Sequence, residues 1–318
     1  MAEEELPWPV RYIVDQDGKD TGIMFLRGPL NPHNTPNWDE MRATHRQMGL
    51  TSMGPYPLHH EAYLKVPQGA IPQDGWRRDF VQLSEAWCHC FRNPDSYLPP
   101  DKPRRLLGGS DFCDYDRVWS IGASGRPQAK RWDLVYSCLD NRFNEMQKNW
   151  EFARACIYRL CTELRLKILV VGRSGTSDLP RVDGLESREF LPWSDFLQCM
   201  GRSRAAFFPN LLDASPRVMT EAMALNLPVL VNRRILGGWK YVNDDTGRFF
   251  DDEANVVPAA LEVLTGSFQP RDWFIANHGK RWAEEQLAEL LREIEPLGES
   301  KPIAANAERA RFTGVLDK

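Results

Sequence analysis

The sequence lacks long apolar runs, and its charges nearly cancel. No apolar stretch approaches the ~20 residues that a membrane-spanning helix needs. Lysine and arginine together number 40 against 44 aspartates and glutamates, and the net charge of −4 gives no overall attraction to nucleic acid or anionic lipid. The first residues, Met-Ala-Glu-Glu-Glu, are acidic and do not have the order of a signal peptide. We therefore expect a soluble cytoplasmic protein without a membrane span.

The sequence lacks a regular cysteine framework: its 7 cysteines are irregularly spaced. An odd number without a regular framework favours a reducing compartment over a disulfide-bonded protein. Cys88, His89 and Cys90, with Cys113 further on, are residue types that bind zinc. The Cys-x-Cys spacing is shorter than that of ordinary zinc sites, however, and no fourth ligand is evident. The sequence therefore predicts no metal site.

The length of 318 residues is enough for two domains, each with its own core. Glycine, serine and proline gather between residues 121 and 129, which is typical of a domain boundary. We predict an N-terminal domain over residues 1–127 and a C-terminal domain over 128–295. Residues 296–318 show little pattern and are expected to form a tail.

In the N-terminal half, two short strands are predicted at Arg11–Asp15 and Gly22–Arg27, joined by a turn at Asp17–Gly18. Further on, Trp76–Phe91 carries apolar residues at helical spacing. That spacing predicts a helix with one face in the core.

In the C-terminal half, the apolar runs Trp132–Cys138 and Lys167–Gly172 read as buried strands. A long helix predicted over Met146–Leu164 lies between them, which makes a parallel strand–helix–strand unit. Two further helices are predicted near the end, at Val256–Leu264 and Arg271–Arg292.

The stretch from residue 204 to residue 250 repeats this pattern and adds polar groups. A strand is predicted at Ala205–Phe208, and the loop after it contains Asp213. Ser215 and Pro216 form a helix start signal for Pro216–Leu225, and a second strand follows at Pro228–Val231. The loops then fall at the carboxyl ends of the strands, where open α/β sheets bind ligands.

Two acids in this stretch allow two interpretations. Glu221 lies inside an otherwise apolar helix, and a buried carboxylate there needs a partner such as the hydroxyls of a ribose. The helix start from Ser215 to Val218 presents backbone N–H groups suited to a phosphate. Alternatively, Glu221 is a solvated helix residue and Asp213 an ordinary loop acid.

The order of these features resembles the retaining GT-B nucleotide-sugar glycosyltransferases, the group 1 glycosyl transferase family. The resemblance rests on an acid, seven residues, then Glu-Ala-Met-Ala-x-x-x-Pro-Val, followed by Gly237–Gly238 and Thr246–Gly247. The first acid is Asp213, where the family has glutamate, and the second is Glu221. The resemblance covers about residues 130–292. It implies an α/β fold with two Rossmann-like domains facing a cleft, the N-terminal one reduced.

The resemblance also implies roles for individual residues. Glu221 would hold the donor ribose and Asp213 would face the transferred sugar or the acceptor, which makes these two the catalytic candidates. Arg142 and Lys148 would neutralise the donor diphosphate, and backbone groups near Leu191, at the end of a strand predicted over Glu189–Leu191, would meet the base. The remaining donor-binding candidates are Gly172, Ser215, Pro216, Arg217, Val218, Gly237 and Gly238.

The implied reaction moves a sugar from a nucleoside diphosphate sugar, with a UDP-sugar favoured, to an acceptor hydroxyl with retained anomeric configuration. The resembling group requires neither a metal nor another cofactor. No Asp-x-Asp motif follows a strand here, since Asp251 and Asp252 are adjacent. The acceptor is unknown and is expected to be a glycan, a small molecule or a modified base in DNA.

Three alternatives stay open. A glycosyltransferase acting on a modified base in viral DNA would use the basic residues Arg77, Arg78, Lys102, Arg104 and Arg105. A catalytically inactive GT-B scaffold is compatible with the short N-terminal half and with aspartate at the first acid position. A dinucleotide-binding dehydrogenase is disfavoured, because no Gly-x-Gly-x-x-Gly opens a helix.

Overall fold

The structure is a computed structural model that describes residues 10–15, 17–26, 41, 43–50, 84–123, 129–173 and 178–294. The chain divides into two compact units, one comprising Met1–Phe112 with Arg281–Lys318 and the other Cys113–Lys280. The boundaries predicted after residues 127 and 295 differ from these divisions. The last helix accounts for the second difference, because its apolar face packs in the core of the first unit. The predicted tail, 296–318, lies outside the described residues.

The first unit contains a five-stranded sheet in the order β1-β2-β3-β4-β5. Strands β1 and β2 form an antiparallel hairpin, as the sequence predicted, and the following pairs are parallel. The strand bounds are Val10–Val14, Asp20–Leu26, Arg46–Leu50, Ala86–Cys88 and Arg104–Arg105.

The helix predicted over Trp76–Phe91 is wrong in its described part, since Ala86–Cys88 is strand β4. Every residue from Ala86 to Phe91 is buried, and a fully buried parallel strand has the same apolar character as a buried helix segment. Residues 76–83 lie outside the described residues. The sheet packs with Leu287, Leu290 and Leu291 of the last helix.

The second unit contains a six-stranded parallel sheet in the order β11-β10-β9-β6-β7-β8. Read from the other edge, this is the strand order of a Rossmann fold. Its strands are Trp132–Ser137 (β6), Ile168–Val171 (β7), Leu185–Arg188 (β8), Ser203–Phe208 (β9), Val229–Asn232 (β10) and Gly247–Phe250 (β11). The strand predicted at Glu189–Leu191 is wrong, because the strand in this region, β8, ends at Arg188.

Eight helices of at least seven residues each lie within the described ranges, numbered here in chain order. They are Tyr115–Gly122 (α1), Arg142–Lys148 (α2), Trp150–Glu163 (α3), Trp193–Gly201 (α4), Arg217–Ala224 (α5), Val256–Thr265 (α6), Pro270–Asn277 (α7) and Lys280–Ile294 (α8). No helix in the described part of the chain is long and apolar enough to cross a bilayer.

Alternate residues of the parallel strands point into two separate cores. Val135, Leu169 and Val231 pack with helices α1, α4, α5 and α7 on one face of the sheet. Leu134, Ile168 and Leu230 pack with helices α3 and α6 on the other face. A sheet covered on both faces explains why these strands read as continuous apolar runs.

Two long helices predicted from the sequence are each broken in the structure. Asn149 adopts the left-handed conformation, with φ 58°, between α2 and α3. Gly279, with φ 98°, separates α7 from α8. A Cβ at Gly279 would lie 2.7 Å from the ring of Tyr115, so both the backbone angle and the packing require glycine there.

Candidate functional site

The candidate site lies at the carboxyl ends of β6 and β9 in the second unit. These two strands are neighbours in the sheet although β7 and β8 come between them in the chain. The strand order therefore reverses at this point, and ligands of open α/β sheets bind in the crevice outside such a reversal. Lys148 follows β6 and Asp213 follows β9, so the topology brings the two predicted residues to one place.

Lys148 and Asp213 form a largely buried ion pair. The Nζ atom of Lys148 lies 2.5 Å from Oδ2 of Asp213, and their side chains are 16% and 5% exposed. The side-chain amide of Asn210 donates to the same oxygen at 2.9 Å. Ion pairs shielded from water are held in place by such additional hydrogen bonds, so the ammonium of Lys148 has a fixed position.

Backbone contacts hold the two loops of this pair together. The carbonyl oxygen of Gln147 accepts from the backbone N–H groups of Leu211 and Leu212, each at 3.2 Å. The side-chain amide of Asn149 donates to the carbonyl of Pro209 at 3.2 Å. The end of α2 is thus joined to the loop that carries Asp213, on both sides of Lys148.

Helix α5 begins at Arg217, with Pro216 in the N-cap position, one residue later than predicted. Pro216 therefore closes the preceding loop instead of occupying the first helical turn. Val218 lines a small cavity together with Lys148 and Asn210. The beginning of α5, whose amides are suited to an anion, therefore lies near the ion pair.

The Gly237–Gly238 turn packs closely against the loop from Asp213 to Pro216. The backbone N–H of Gly237 donates to the carbonyl of Asp213 at 2.9 Å. A Cβ at Gly237 would lie 1.9 Å from the carbonyl oxygen of Ala214, which no side chain can occupy. Gly238 has φ 77°, and a Cβ there would lie 2.4 Å from the ring of Pro216. Both glycines are therefore required by the geometry of the loop.

Glu221 lies on α5, half-buried, and accepts a hydrogen bond from a neighbouring tryptophan. The indole nitrogen of Trp193 donates to Oε1 of Glu221 at 2.9 Å. Trp193, the first residue of α4, is 38% exposed, and the guanidinium of Arg117 lies 5.0 Å from the centre of its ring. One carboxylate oxygen of Glu221 is thus engaged by protein.

Burial raises the pKa of Glu221 above its ordinary value. The hydrogen bond from Trp193 and the positive charges of Arg217 and Lys148 oppose this rise. Arg217 precedes Glu221 by four residues on the same helix, a spacing that brings the two side chains together. The carboxylate is therefore partly desolvated, and the charges of two nearby cations favour its ionised form.

Three further residues were predicted to bind the donor, and the structure gives their positions. Arg142 is the first residue of α2 and is exposed, whereas Lys148 is the last residue, about 9 Å further along the helix axis. Gly172 has φ 98° and follows β7, where a Cβ would lie 2.8 Å from the carbonyl of Cys138. Leu191, half-buried, packs against the core between β8 and α4.

Sequence reasoning missed three side chains that shape this region. Asn210 donates to Asp213, Trp193 donates to Glu221, and Arg173 is buried beside α2. Arg173 carried a signal, because it is a charged residue directly after the apolar strand Ile168–Val171 and Gly172. Within the described ranges, no group of three or more histidine, cysteine, aspartate or glutamate side chains is arranged to hold a metal ion.

Comparison with known proteins identifies the fold. No family model matches the sequence, and no curated protein matches it. Among solved structures, the chain is similar to the sucrose-phosphate synthase of Thermosynechococcus elongatus, with a TM-score of 0.55 and 12% identity over 82% of this chain and 71% of that one. The α,α-trehalose-phosphate synthase (UDP-forming) of Burkholderia xenovorans gives 0.57 and 11%, covering 81% and 71%.

A Listeria monocytogenes protein assigned as a UDP-N-acetylglucosamine 2-epimerase gives a TM-score of 0.53 at 12% identity, covering 87% of this chain and 76% of that one. These similarities show that the chain has the α/β GT-B fold, with Rossmann-like units, which confirms the fold class expected from the sequence. Because the same fold serves transferases and an epimerase, the activity must be argued from the site.

Proposed function

We propose that this protein is a glycosyltransferase that moves a sugar from a nucleoside diphosphate sugar to an acceptor hydroxyl, with retention of the anomeric configuration. The observation that carries the proposal is the Lys148–Asp213 pair at the strand-order reversal, beside the beginning of α5. An ammonium and a helix start at one place suit a diphosphate, whose departure such a site would promote by neutralising its charge.

Glu221 completes the donor site in this proposal. Its Oε1 atom accepts from Trp193, which leaves Oε2 to accept from the ribose hydroxyls. The carboxylate lies one helical turn inside α5, and the charges of Arg217 and Lys148 act on it. Ribose and diphosphate recognition would thus occur on the first two turns of a single helix.

In this proposal, Asp213 faces the transferred sugar or the acceptor. The donor is proposed to be a UDP-sugar, because the matched trehalose-phosphate synthase is described as UDP-forming. No metal or other cofactor forms part of the proposal. Since all seven cysteines are free thiols, a reducing cytoplasm stays our prediction for its location.

The alternative of a transferase acting on DNA gains no support from the described basic residues. Arg104 forms an ion pair with Asp95, and Arg105 forms one with Glu293. The Nζ atom of Lys102 donates to a backbone carbonyl at 2.5 Å. Arg77 and Arg78 lie outside the described residues. We therefore keep a glycan or a small molecule as the proposed acceptor.

A thermal-shift panel of UDP, GDP, ADP, CDP and dTDP tests whether the chain binds a nucleoside diphosphate. A ligand at one hundred times its dissociation constant stabilises by about 2.7 kcal/mol, which is readily detected. We expect one diphosphate to raise the melting temperature more than its nucleoside does. No response to any of the five would contradict the proposal. A separate activity assay distinguishes the epimerase alternative, because an epimerase would convert the donor sugar to its epimer in the absence of an acceptor.

Two variants then locate the site, because they should affect the nucleoside and the diphosphate differently. Glu221→Ala should weaken the nucleoside and the diphosphate alike, by about 1.5–3 kcal/mol, because both carry the ribose. Lys148→Ala should weaken only the diphosphate, by a similar amount, because only that ligand can lose a phosphate contact. Glu163→Ala, which removes an exposed glutamate of α3, is the control and should change neither affinity. If Glu221→Ala folds and binds as tightly as the parent, the site lies elsewhere.

A further inference from the structure

Arg173 is a buried cation immediately after Gly172 at the carboxyl end of β7. Its side chain is 1% exposed, and its Nη2 atom lies 2.6 Å from Asp178 Oδ2 and 2.9 Å from Glu145 Oε1. Asp140 contributes a third carboxylate oxygen at 3.3 Å. Because an unpaired guanidinium at this depth is strongly disfavoured, the three carboxylates fix its position.

The partners of Arg173 lie on both sides of Lys148 in the chain. Glu145 precedes Lys148 by three residues on α2, and Trp150, the first residue of α3, follows it by two. The guanidinium lies 4.1 Å from the centre of the Trp150 ring. The indole nitrogen of Trp150 donates to the same Asp178 oxygen that Arg173 contacts, at 2.5 Å. Arg173 and Asp178 together therefore connect the end of α2 to the start of α3.

Between these two anchored positions the backbone takes a left-handed turn. Asn149 has φ 58°, a conformation that is uncommon for residues other than glycine, although asparagine adopts it more readily than most. Such a conformation persists only where the surroundings hold it. Lys148 is the last residue of α2 and directly precedes this turn, so the turn fixes where the end of α2, and Lys148 with it, lies relative to α3.

We propose that Arg173 is a positioning residue for Lys148. By holding Glu145 and Trp150 at a fixed separation, it maintains the left-handed turn at Asn149 that directs the ammonium of Lys148 to Asp213. Arg173 is itself too buried to touch a donor. The inference rests on the proposed function, in which Lys148 contacts the donor diphosphate, and it adds a residue that acts only through Lys148.

A double-mutant cycle between Arg173→Met and Lys148→Ala tests this dependence. The ligands are UDP and uridine, or the diphosphate and nucleoside of whichever base the thermal-shift panel selects, and affinities are measured by calorimetry. Arg173→Met should weaken the diphosphate about tenfold and the nucleoside less than about twofold, since a misdirected ammonium affects phosphate alone. In the Lys148→Ala background, Arg173→Met should change the diphosphate affinity less than about twofold, because coupled residues are not additive.

Arg154→Met is the matched control. Arg154 lies on α3, donates to the backbone carbonyl of Asp178 at 3.4 Å and pairs with Glu151 near the surface, without contacting α2. This variant should leave both affinities within about twofold of the parent, as is usual for exposed ion pairs.

Two milder variants keep the test decisive if Arg173→Met does not fold. Trp150→Phe keeps the ring under Arg173 but removes the N–H that donates to Asp178, and Glu145→Gln removes one charge while keeping the shape. Each should weaken the diphosphate about two- to fivefold and leave the nucleoside unchanged, because each loosens one anchor of the turn.

The outcomes separate the two proposals. Equal weakening of nucleoside and diphosphate, or an Arg173→Met effect that persists in full beside Lys148→Ala, would overturn the positioning role while the donor site stands. If the parent binds neither ligand, the proposed function fails and the inference fails with it.

Discussion

Replacing Asp213 by asparagine changes the charge of the Lys148 pair while keeping the shape of the side chain. In the parent, Oδ2 of Asp213 accepts from Lys148 at 2.5 Å and from Asn210 at 2.9 Å. The single oxygen of asparagine has two lone pairs and can still accept from both donors, but it carries no negative charge. Lys148 is then left without a counter-charge in a site where it is only 16% exposed.

The expected loss of stability follows from this burial. Removing one partner of a fully buried ion pair costs roughly 3–5 kcal/mol. Lys148 keeps some access to water, and the amide oxygen of asparagine can still accept its hydrogen bond. Both reduce the loss, so we expect the free energy of unfolding of Asp213→Asn to fall by about 2–3 kcal/mol.

Urea denaturation measures this loss, and a second substitution calibrates it. Asp251 pairs with Arg233 at 2.7 Å, but both side chains are more than half exposed. Asp251→Asn should therefore lower the free energy of unfolding by no more than about 1 kcal/mol. If the slope of the unfolding free energy against urea concentration is the same for both variants, the change in exposed surface on unfolding is the same, and the two free energies can be compared.

Ligand binding gives this prediction its functional part. A bound diphosphate supplies the negative charge that Asp213→Asn has removed, so saturating UDP should reduce the difference in stability between variant and parent. Affinity for UDP should be retained, whereas the rate of sugar transfer should fall, because Asp213 acts where charge changes during transfer. The reasoning is refuted if Asp213→Asn is no less stable than Asp251→Asn, or if it loses UDP and uridine binding together.

Three further predictions concern pH, packing and metal. Because burial raises the pKa of Glu221, the folded chain binds that proton more tightly than the unfolded chain. The free energy of unfolding should then fall as the pH rises from about 4.3 through the raised pKa. Urea denaturation at each pH measures this fall, which the Glu221→Gln variant should not show. Over the same range the parent's affinity for uridine should increase as the carboxylate forms, whereas that of the variant should stay level. Gly237→Ala should cost about 1–3 kcal/mol in stability and also weaken UDP binding, because its methyl group would displace Ala214. Gly18→Ala is the control for affinity: its φ of 78° disfavours alanine and should lower stability, but its methyl group meets no atom within 4 Å and UDP binding should not change. Transfer should continue in EDTA, and a loss of activity restored by manganese or magnesium would contradict metal independence.

The C-terminal unit could be predicted from its apolar runs. Strands β6, β7, β9 and β10 are buried on both faces, so each contains a run of three or four consecutive apolar residues. The distance between those segments left room for helices, which is the pattern of parallel strands. Strand β8, Leu185–Arg188, was misplaced because its residues are only half-buried and half of them are charged.

The residues of the candidate site could be nominated from the sequence, but their contacts could not. Asp213, Glu221 and the two glycines follow from a linear motif, and the strand order brings Lys148 to them. The left-handed turn at Asn149 was missed, since one helix was predicted across it and asparagine there gives no signal as clear as glycine would. Arg173 and Trp193 act on residues distant in the sequence, and such pairs are not visible in helical or strand periodicity.

The resting structure suggests how this site can hold a cation before the donor arrives. A lone ammonium as shielded as that of Lys148 would be costly, and Asp213 removes the cost by pairing with it. In the proposed function, an incoming diphosphate exchanges one anion for another at Lys148 and does not have to create a buried charge pair from two hydrated ions. The diphosphate would then take the place of Asp213 as the counter-charge of the ammonium. In this proposal Asp213 stabilises the unliganded fold while the donor brings its own negative charge to Lys148, which is the reason that the loss of Asp213 should separate stability from affinity.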